Sequence, residues 1–155
     1  MIKKQWPALI GFILAVEAVG FCSSLLSGDI GRKYNELILP PFSPPGMLFG
    51  IVWVILYAMM GIAAYLIYQS NESTKQTAMT IFLSQLALNF LWPILFFRFE
   101  LLWISDIIII ILDILVACMI YYFSTSRKAA AYLIIPYFIW LLFATYLNIG
   151  VALLN

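Results

Sequence analysis

Apolar positions along the chain form five long runs: Pro7 to Ser27, Gly46 to Tyr68, Ala78 to Phe97, Leu101 to Phe123 and Tyr132 to Leu154. They do not alternate as strand positions do, and they do not leave one polar helical face as on a soluble helix. A helix rises about 1.5 Å per residue and the hydrocarbon core is about 30 Å thick, so each run is long enough to cross a bilayer. The pattern predicts an all-α membrane protein, a five-transmembrane-helix bundle forming a single transmembrane domain over residues 1–155. The connections Gln69 to Thr77, Arg98 to Glu100 and Ser124 to Ala131 are short and make helices two to five antiparallel neighbours. The connection at 28–45, GDIGRKYNELILPPFSPP, is long. Pro40, Pro41, Pro44 and Pro45 forbid regular helix at its end, and Leu37, Ile38, Leu39 and Phe42 give it apolar surface to pack on something. It reads as a lid, with a solvated linker as the alternative.

Composition removes several function classes. Of 155 residues, 65% are hydrophobic and 10% charged, against about 25% charged in ordinary soluble domains. The formal net charge is +1, so there is no basic field for nucleic acid. The chain has no histidine and only two cysteines, which excludes histidine general bases, histidine-ligated haem and the usual zinc sites; no metal site is predicted. A cleaved signal peptide is disfavoured because Glu17 interrupts the first run. Lys3, Lys4, Lys75, Arg127 and Lys128 gather on one side, against Arg32, Lys33 and Arg98 on the other. The excess predicts a cytoplasmic N-terminus, an outer C-terminus and an outward-facing long loop if the protein sits in a plasma membrane.

Glu17, Gln85, Asn89, Asp106, Asp113 and Asn148 fall inside the runs, where ionisable groups are costly and must face protein or water. At about 100° per residue Gln85, Asn89, Trp92 and Phe96 share an arc of about 60° on the third helix. Tyr137, Trp140, Ala144 and Asn148 share an arc of about 80° on the fifth, and Phe49, Trp53 and Tyr57 follow at four-residue spacing on the second. Asn89, Asn148, Trp53 and Ala144 lie about 9 to 15 Å below the outer ends of their spans. These stripes converge under the long loop and predict an aromatic-walled cavity with amide donors, closed by the lid. The bland reading is helix packing and interface belts, which is preferred for Trp6, Trp103, Tyr65, Tyr68, Tyr121 and Tyr122 near span ends. For Trp53 and Trp140, deeper in their spans, the pocket reading is preferred over packing.

Asp106 and Asp113 share a face of the fourth helix and Glu17 sits near the middle of the first. A proton or cation path is one reading; neutral carboxyls bonded between helices is the preferred one, because no intramembrane Lys, Arg or His is present to relay. Gly46-x-x-x-Gly50 and Gly20-x-x-x-Ser24 permit close helix contact within the monomer or in a homodimer. Cys22 and Cys118 differ by about 18 Å in depth and are not expected to pair.

Four ordered motifs resemble one known family. They are Tyr34-x-x-Leu37-x-x-Pro40-Pro41-Phe42-Ser43-Pro44-Pro45, Val52-Trp53-x-x-Leu56-Tyr57-x-x-x-Gly61, Gln85-x-x-Leu88-Asn89-x-x-Trp92-x-x-x-Phe96-Phe97 and Pro136-Tyr137-x-x-Trp140-x-x-Phe143-Ala144-x-x-Leu147-Asn148. The family is that of the tryptophan-rich sensory protein or translocator protein, also called the peripheral benzodiazepine receptor. The resemblance implies a five-helix membrane protein that binds porphyrins, notably protoporphyrin IX, and benzodiazepine-site ligands in a pocket under the first loop. Some bacterial members are associated with light-dependent oxidative degradation of the porphyrin, with molecular oxygen as co-reactant and no resident cofactor. On this reading the ligand-binding residues are Tyr34, Phe49, Trp53, Tyr57, Gln85, Asn89, Trp92, Phe96, Tyr137, Trp140, Ala144 and Asn148, and Trp53 and Trp140 carry the photochemistry from opposing walls.

Arg32 or Lys33 on the lid is expected to meet the propionates. Two departures stand out: no basic residue follows Tyr146, so a sterol-recognition pattern there is unsupported, and Lys33 replaces an aromatic residue of many relatives. The different-class alternative is a small proton-coupled transporter of a hydrophobic substrate using Glu17, Asp106 and Asp113, although no broken helix pair or inverted repeat is visible. A structural helper within a larger complex is a third reading. The partners expected are a flat hydrophobic small molecule and the bilayer.

Overall fold

The computed structural model describes residues 5–155. Lys3 and Lys4 lie outside them. The chain forms α1 (Trp6–Leu26), a short α2 (Ile30–Glu36), α3 (Gly46–Tyr68), α4 (Lys75–Pro93), α5 (Leu102–Ser126) and α6 (Lys128–Leu154), and no strand appears among the described residues. Five helices are long and apolar enough to cross a membrane, the third of them running from Lys75 to Arg98. Pro7 sits in the first turn of α1, where its missing N–H costs nothing. Pro45 precedes α3 in an extended conformation and sets its start. Pro93 ends the regular part of α4, and the helix widens into a π-helical turn over Ile94–Arg98 that buries Ile94, Phe96 and Phe97.

The long connection holds more order than its prolines suggest. Asp29 accepts a hydrogen bond from the Arg32 N–H at 3.0 Å and so caps α2, while Gly28 takes a φ of +82° that turns the chain out of α1. Apart from Gly28 and Asp29, only the stretch from Leu37 to Pro45 is irregular. Two spans also begin earlier than hydropathy alone indicates. Lys75 and Lys128 start α4 and α6 because a polar or small first turn at the membrane surface still forms helix, and Ala130 and Ala131 are buried there.

The principal helix pairs are α5 with α6, α1 with α3, α4 with α5 and α3 with α6. Between α1 and α3, a Cβ on Gly61 would lie 2.7 Å from the Ile13 Cα, so the two backbones meet where only glycine fits. Met60, Ile67, Ile109, Met119, Phe123 and Ile134 are fully or almost fully buried in the core, whereas Ile107, Ile114 and Ile139 are exposed on the outside, as lipid-facing positions are. Thr74 bonds Ser126 at 2.8 Å at one end of the bundle and Lys33 bonds Glu100 at 2.6 Å at the other. Among the described residues Lys75, Arg127 and Lys128 lie at the first end and Arg32, Lys33 and Arg98 at the second, three against three, so the charge excess expected from the sequence rests on Lys3 and Lys4 alone.

Candidate ligand cavity

A cavity of about 710 Å³ opens between α1, α3, the end of α4 and α6, beneath α2 and the Leu37–Ser43 stretch. Trp53 and Tyr57 of α3 form one wall, with Phe49 above them towards the loop; Trp92 and Phe96 form another, and Ala144 and Asn148 a third. Trp92 and Phe96 stack with centroids 5.5 Å apart, and Trp53 packs on Tyr57 at 5.6 Å. Tyr34 reaches the cavity from α2, meets the Phe49 ring edge-on at 5.3 Å, and donates to the Pro44 carbonyl at 2.6 Å. Asn89 supplies a buried amide on the α4 side.

Two hydrogen-bond chains hold these groups. In the first, the Tyr57 hydroxyl donates to Asn89 Oδ1 at 2.6 Å, Asn89 Nδ2 donates to the Tyr137 hydroxyl at 2.8 Å, and Tyr137 donates to Gln85 Oε1 at 2.9 Å. In the second, Trp92 Nε1 donates to Asn148 Oδ1 at 3.0 Å, and Asn148 Nδ2 donates to Asp106 and Ser105 across the α5–α6 interface. Both cavity amides are therefore fixed from behind. Asp113 likewise accepts from Thr145 of α6 at 2.8 Å. Both α5 acids thus bond α6, although Asp106 Oδ2 and Asp113 Oδ1 are buried with no partner among the described residues.

Three expected binding residues lie elsewhere. Gln85 and Tyr137 are fully buried and sit behind Asn89, since Gln85 is one helical turn deeper and its amide is spent on Tyr137 and Met60. Trp140 does not line the cavity; its ring packs against Phe143 at 5.6 Å and against Phe49, which does line it, at 5.5 Å. Trp53 and Trp140 therefore do not face each other across the cavity. Lys33 is also committed elsewhere, to Glu100, and Arg32 pairs with Glu36 at 3.9 Å, so neither lid cation lines the wall. The contribution of α1 is new: Leu14, Glu17, Gly20, Phe21 and Ser24 complete the enclosure. A signal for it was present in Glu17 and Gly20, three residues apart on one helical face. A Cβ on Gly20 would run into the Tyr57 ring, so the glycine lets α1 close against the aromatic wall.

The lid is fastened at several points. The Asn155 amide exchanges hydrogen bonds with the Ile38 backbone, at 3.0 Å to its N–H and 2.9 Å to its carbonyl. Tyr146 donates to the Pro41 carbonyl at 2.9 Å, and Gly150 admits Pro40, which a Cβ there would meet at 2.7 Å. Hydrogen bonding and the charge of Lys33 hold the Glu100 carboxyl below the usual carboxylate range.

Residues 12–154 match the TspO/MBR family. The chain belongs to that family. Among TspO/MBR relatives it is 38% identical over 148 residues to a tryptophan-rich protein TspO of Archaeoglobus fulgidus, covering 95% of this chain and 96% of that one. It is 32% identical to the translocator protein of Homo sapiens, over 95% of this chain and 89% of the human one. It is 30% identical to the tryptophan-rich sensory protein of Cereibacter sphaeroides, over 99% and 95% of the two chains. Family membership and five apolar helices make this an integral membrane protein.

Proposed function

We propose that this TspO/MBR protein binds a tetrapyrrole, with protoporphyrin IX as the reference ligand, in the cavity beneath α2, and that benzodiazepine-site ligands compete for the same space. The observation that carries the reading is the cavity itself. Its volume of about 710 Å³ falls within the roughly 300–1,000 Å³ of small-molecule sites, and its walls are aromatic planes with two fixed amides. Flat rings gain by stacking on such walls, and preset amides cost little to organise around a polar edge.

Light and molecular oxygen then give the site a chemistry. An excited porphyrin transfers energy to oxygen and exchanges electrons with a neighbouring indole, and Trp53 is an indole on the wall. Bound close to Trp53, the macrocycle is directed to one oxidised product instead of random bleaching. The sequence charges of Lys3 and Lys4 favour a cytoplasmic N-terminus and an outer lid. The test is a titration of the purified protein with protoporphyrin IX in non-ionic detergent in the dark, followed by illumination with absorbance recording. Saturable binding above that of empty micelles supports the reading; partition equal to empty micelles overturns it.

A further inference from the structure

Residues 37–71 contain no Asp, Glu, Lys or Arg, and neither do residues 129–155, so an uncharged lid stretch lies on an uncharged helix. Lid contacts descend α6 in order: Ile38 meets Asn155, Pro40 meets Gly150, and the Pro41 carbonyl meets the Tyr146 hydroxyl. Tyr146 lies nine residues before Asn155, about 13 Å along the helix axis, and is itself exposed, so the stretch runs down the flank of the bundle. Phe42 follows at the foot of this descent. Leu39 and Ser43 on either side of it line the cavity, but Phe42 does not; it is 88% exposed, and Met47 in the first turn of α3 is exposed as well. Phe42 also takes a φ of +67°, a left-handed conformation that strains a bulky side chain and that Gly or Asn adopts readily. Pro41 ahead of it and the 2.7 Å bond from Ser43 Oγ to the Pro40 carbonyl hold the turn. A strained, exposed phenyl gains almost nothing from packing within the chain, so what stabilises it has to lie outside the chain.

We propose that Phe42 anchors the lid in the bilayer: its ring enters the apolar edge of the lid-side leaflet beside α6, and lipid thereby holds the lid shut. Tyr146 marks the level, because an exposed tyrosine ring with a bonded hydroxyl suits the membrane interface. Ile139 and Leu142 fall within about 60° of Tyr146 on α6 and are exposed and apolar, so that face of the helix continues into hydrocarbon. The other part of the long connection has the opposite character: α2 carries Arg32, Lys33 and Glu36, and Arg32 and Glu36 are exposed to water as an ion pair. The connection is thus charged over the cavity and apolar along α6. Lifting the lid withdraws a phenyl ring from lipid into water, which is unfavourable in proportion to the apolar area exposed. This restraint acts whichever ligand the cavity holds.

The test uses the full chain in phosphatidylcholine nanodiscs. In a Cys22→Ser, Cys118→Ser background a nitroxide is attached at Phe42→Cys, at Asn35→Cys on the exposed side of α2 and at Ile114→Cys on the lipid-facing side of α5. Collisions with oxygen, which concentrates in lipid, are compared with collisions with an uncharged nickel chelate, which stays in water. The label at 42 should follow the one at 114, with oxygen dominant, and the label at 35 should show the reverse. The second measurement keeps the native ring in the reference: hydrogen–deuterium exchange over residues 37–43 in the unaltered chain, Phe42→Asn and Phe42→Leu. Asparagine relieves the backbone strain, so a lid held only by the chain should exchange no faster in Phe42→Asn; the anchored lid should exchange at least about fivefold faster there. Phe42→Leu keeps an apolar side chain and should stay within about threefold of the unaltered chain. A label at 42 that follows the one at 35, or exchange in a helical Phe42→Asn protein no faster than in the unaltered chain, overturns the anchor. Should Phe42→Asn lose helix content, the collision pattern decides alone.

Discussion

Asn89 Nδ2 donates a 2.8 Å hydrogen bond to the Tyr137 hydroxyl, so an amide on the cavity wall is held by a residue that never reaches the cavity. Removing that hydroxyl orphans the Asn89 amide and the Gln85 oxygen together. Tyr137→Phe should lower stability by about 1–3 kcal/mol, the cost of buried groups left without partners. Thermal unfolding in detergent measures the loss. Protoporphyrin affinity, measured well below the transition, should change by less than about threefold because no wall group is lost.

Trp53 and Trp140 should separate in function. Trp53 lines the cavity and Trp140 packs on Phe49 without lining it. Trp53→Phe keeps a planar wall and should hold affinity within roughly tenfold while slowing illuminated, oxygen-dependent conversion substantially. Trp140→Phe should slow it less, since electron exchange from a ring outside the cavity lining is weaker. Paired single-turnover absorbance traces decide this; equal slowing by both substitutions would show that ring order within the cavity wall does not control the chemistry.

Asp113 accepts from Thr145 and Asp106 accepts from Asn148, both across the α5–α6 interface. Asp113→Asn should leave porphyrin binding nearly intact, because an amide oxygen still accepts from Thr145. The informative assay is proton-driven uptake into vesicles. Uptake by the unaltered protein that disappears in Asp113→Asn would favour a transporter over a binding protein.

Five helices were legible from the apolar runs because nothing but a helix satisfies its own backbone in lipid over that length. The start of α3 was legible too, since Pro44 and Pro45 bar helix before it. The helix inside the long connection was not: seven residues, IGRKYNE, lack an apolar stripe, and the signal that counts is the Asp29 cap. Within the cavity, angular arithmetic put Asn89, Trp92 and Phe96 on one face and likewise included Gln85. Angle does not report depth against a neighbouring helix, and Tyr137 closes off Gln85. Trp140 shares the angular face of α6 but not the cavity, where Phe49, the ring it packs on, supplies the lining instead. The charge of Glu17 does not reveal the α1 wall; its position one turn from Gly20 on the same helical face does.

Gly150 and Pro40 offer a way to loosen the lid without touching the cavity wall. A Cβ at Gly150 would fall 2.7 Å from the Pro40 ring, so Gly150→Val should push the Leu37–Pro45 stretch off α6. Ligand dissociation should accelerate at least about tenfold, read by stopped-flow fluorescence, with helix content by circular dichroism unchanged. Replacing Pro40 to Pro45 by a Gly/Ser stretch should act in the same direction.

The Lys33–Glu100 pair should make lid closure sensitive to acid. Glu100 is held below its ordinary value with the lid closed, so the closed state binds its proton less readily than the open one. Closure from this source is complete above the ordinary carboxylate value of about 4.3 and is lost as pH falls through the lowered one. Dissociation rates should be flat from pH 8 to about 5 and rise below about 4, and Glu100→Gln should remove the rise. A steep change near neutrality would assign the lid to another group.

The central claim is that the cavity beneath α2 holds the tetrapyrrole, and Ala144 tests it most directly. Ala144 lines the cavity from α6 and is buried there, so Ala144→Phe fills the cavity from one side while the far faces of the bundle stay as they are. Fluorescence titration with protoporphyrin IX in non-ionic detergent, against the unaltered protein, is the measurement. The account predicts at least about a tenfold loss of affinity with helix content retained. Full-affinity binding by a correctly folded Ala144→Phe protein would contradict it and put the ligand outside this cavity.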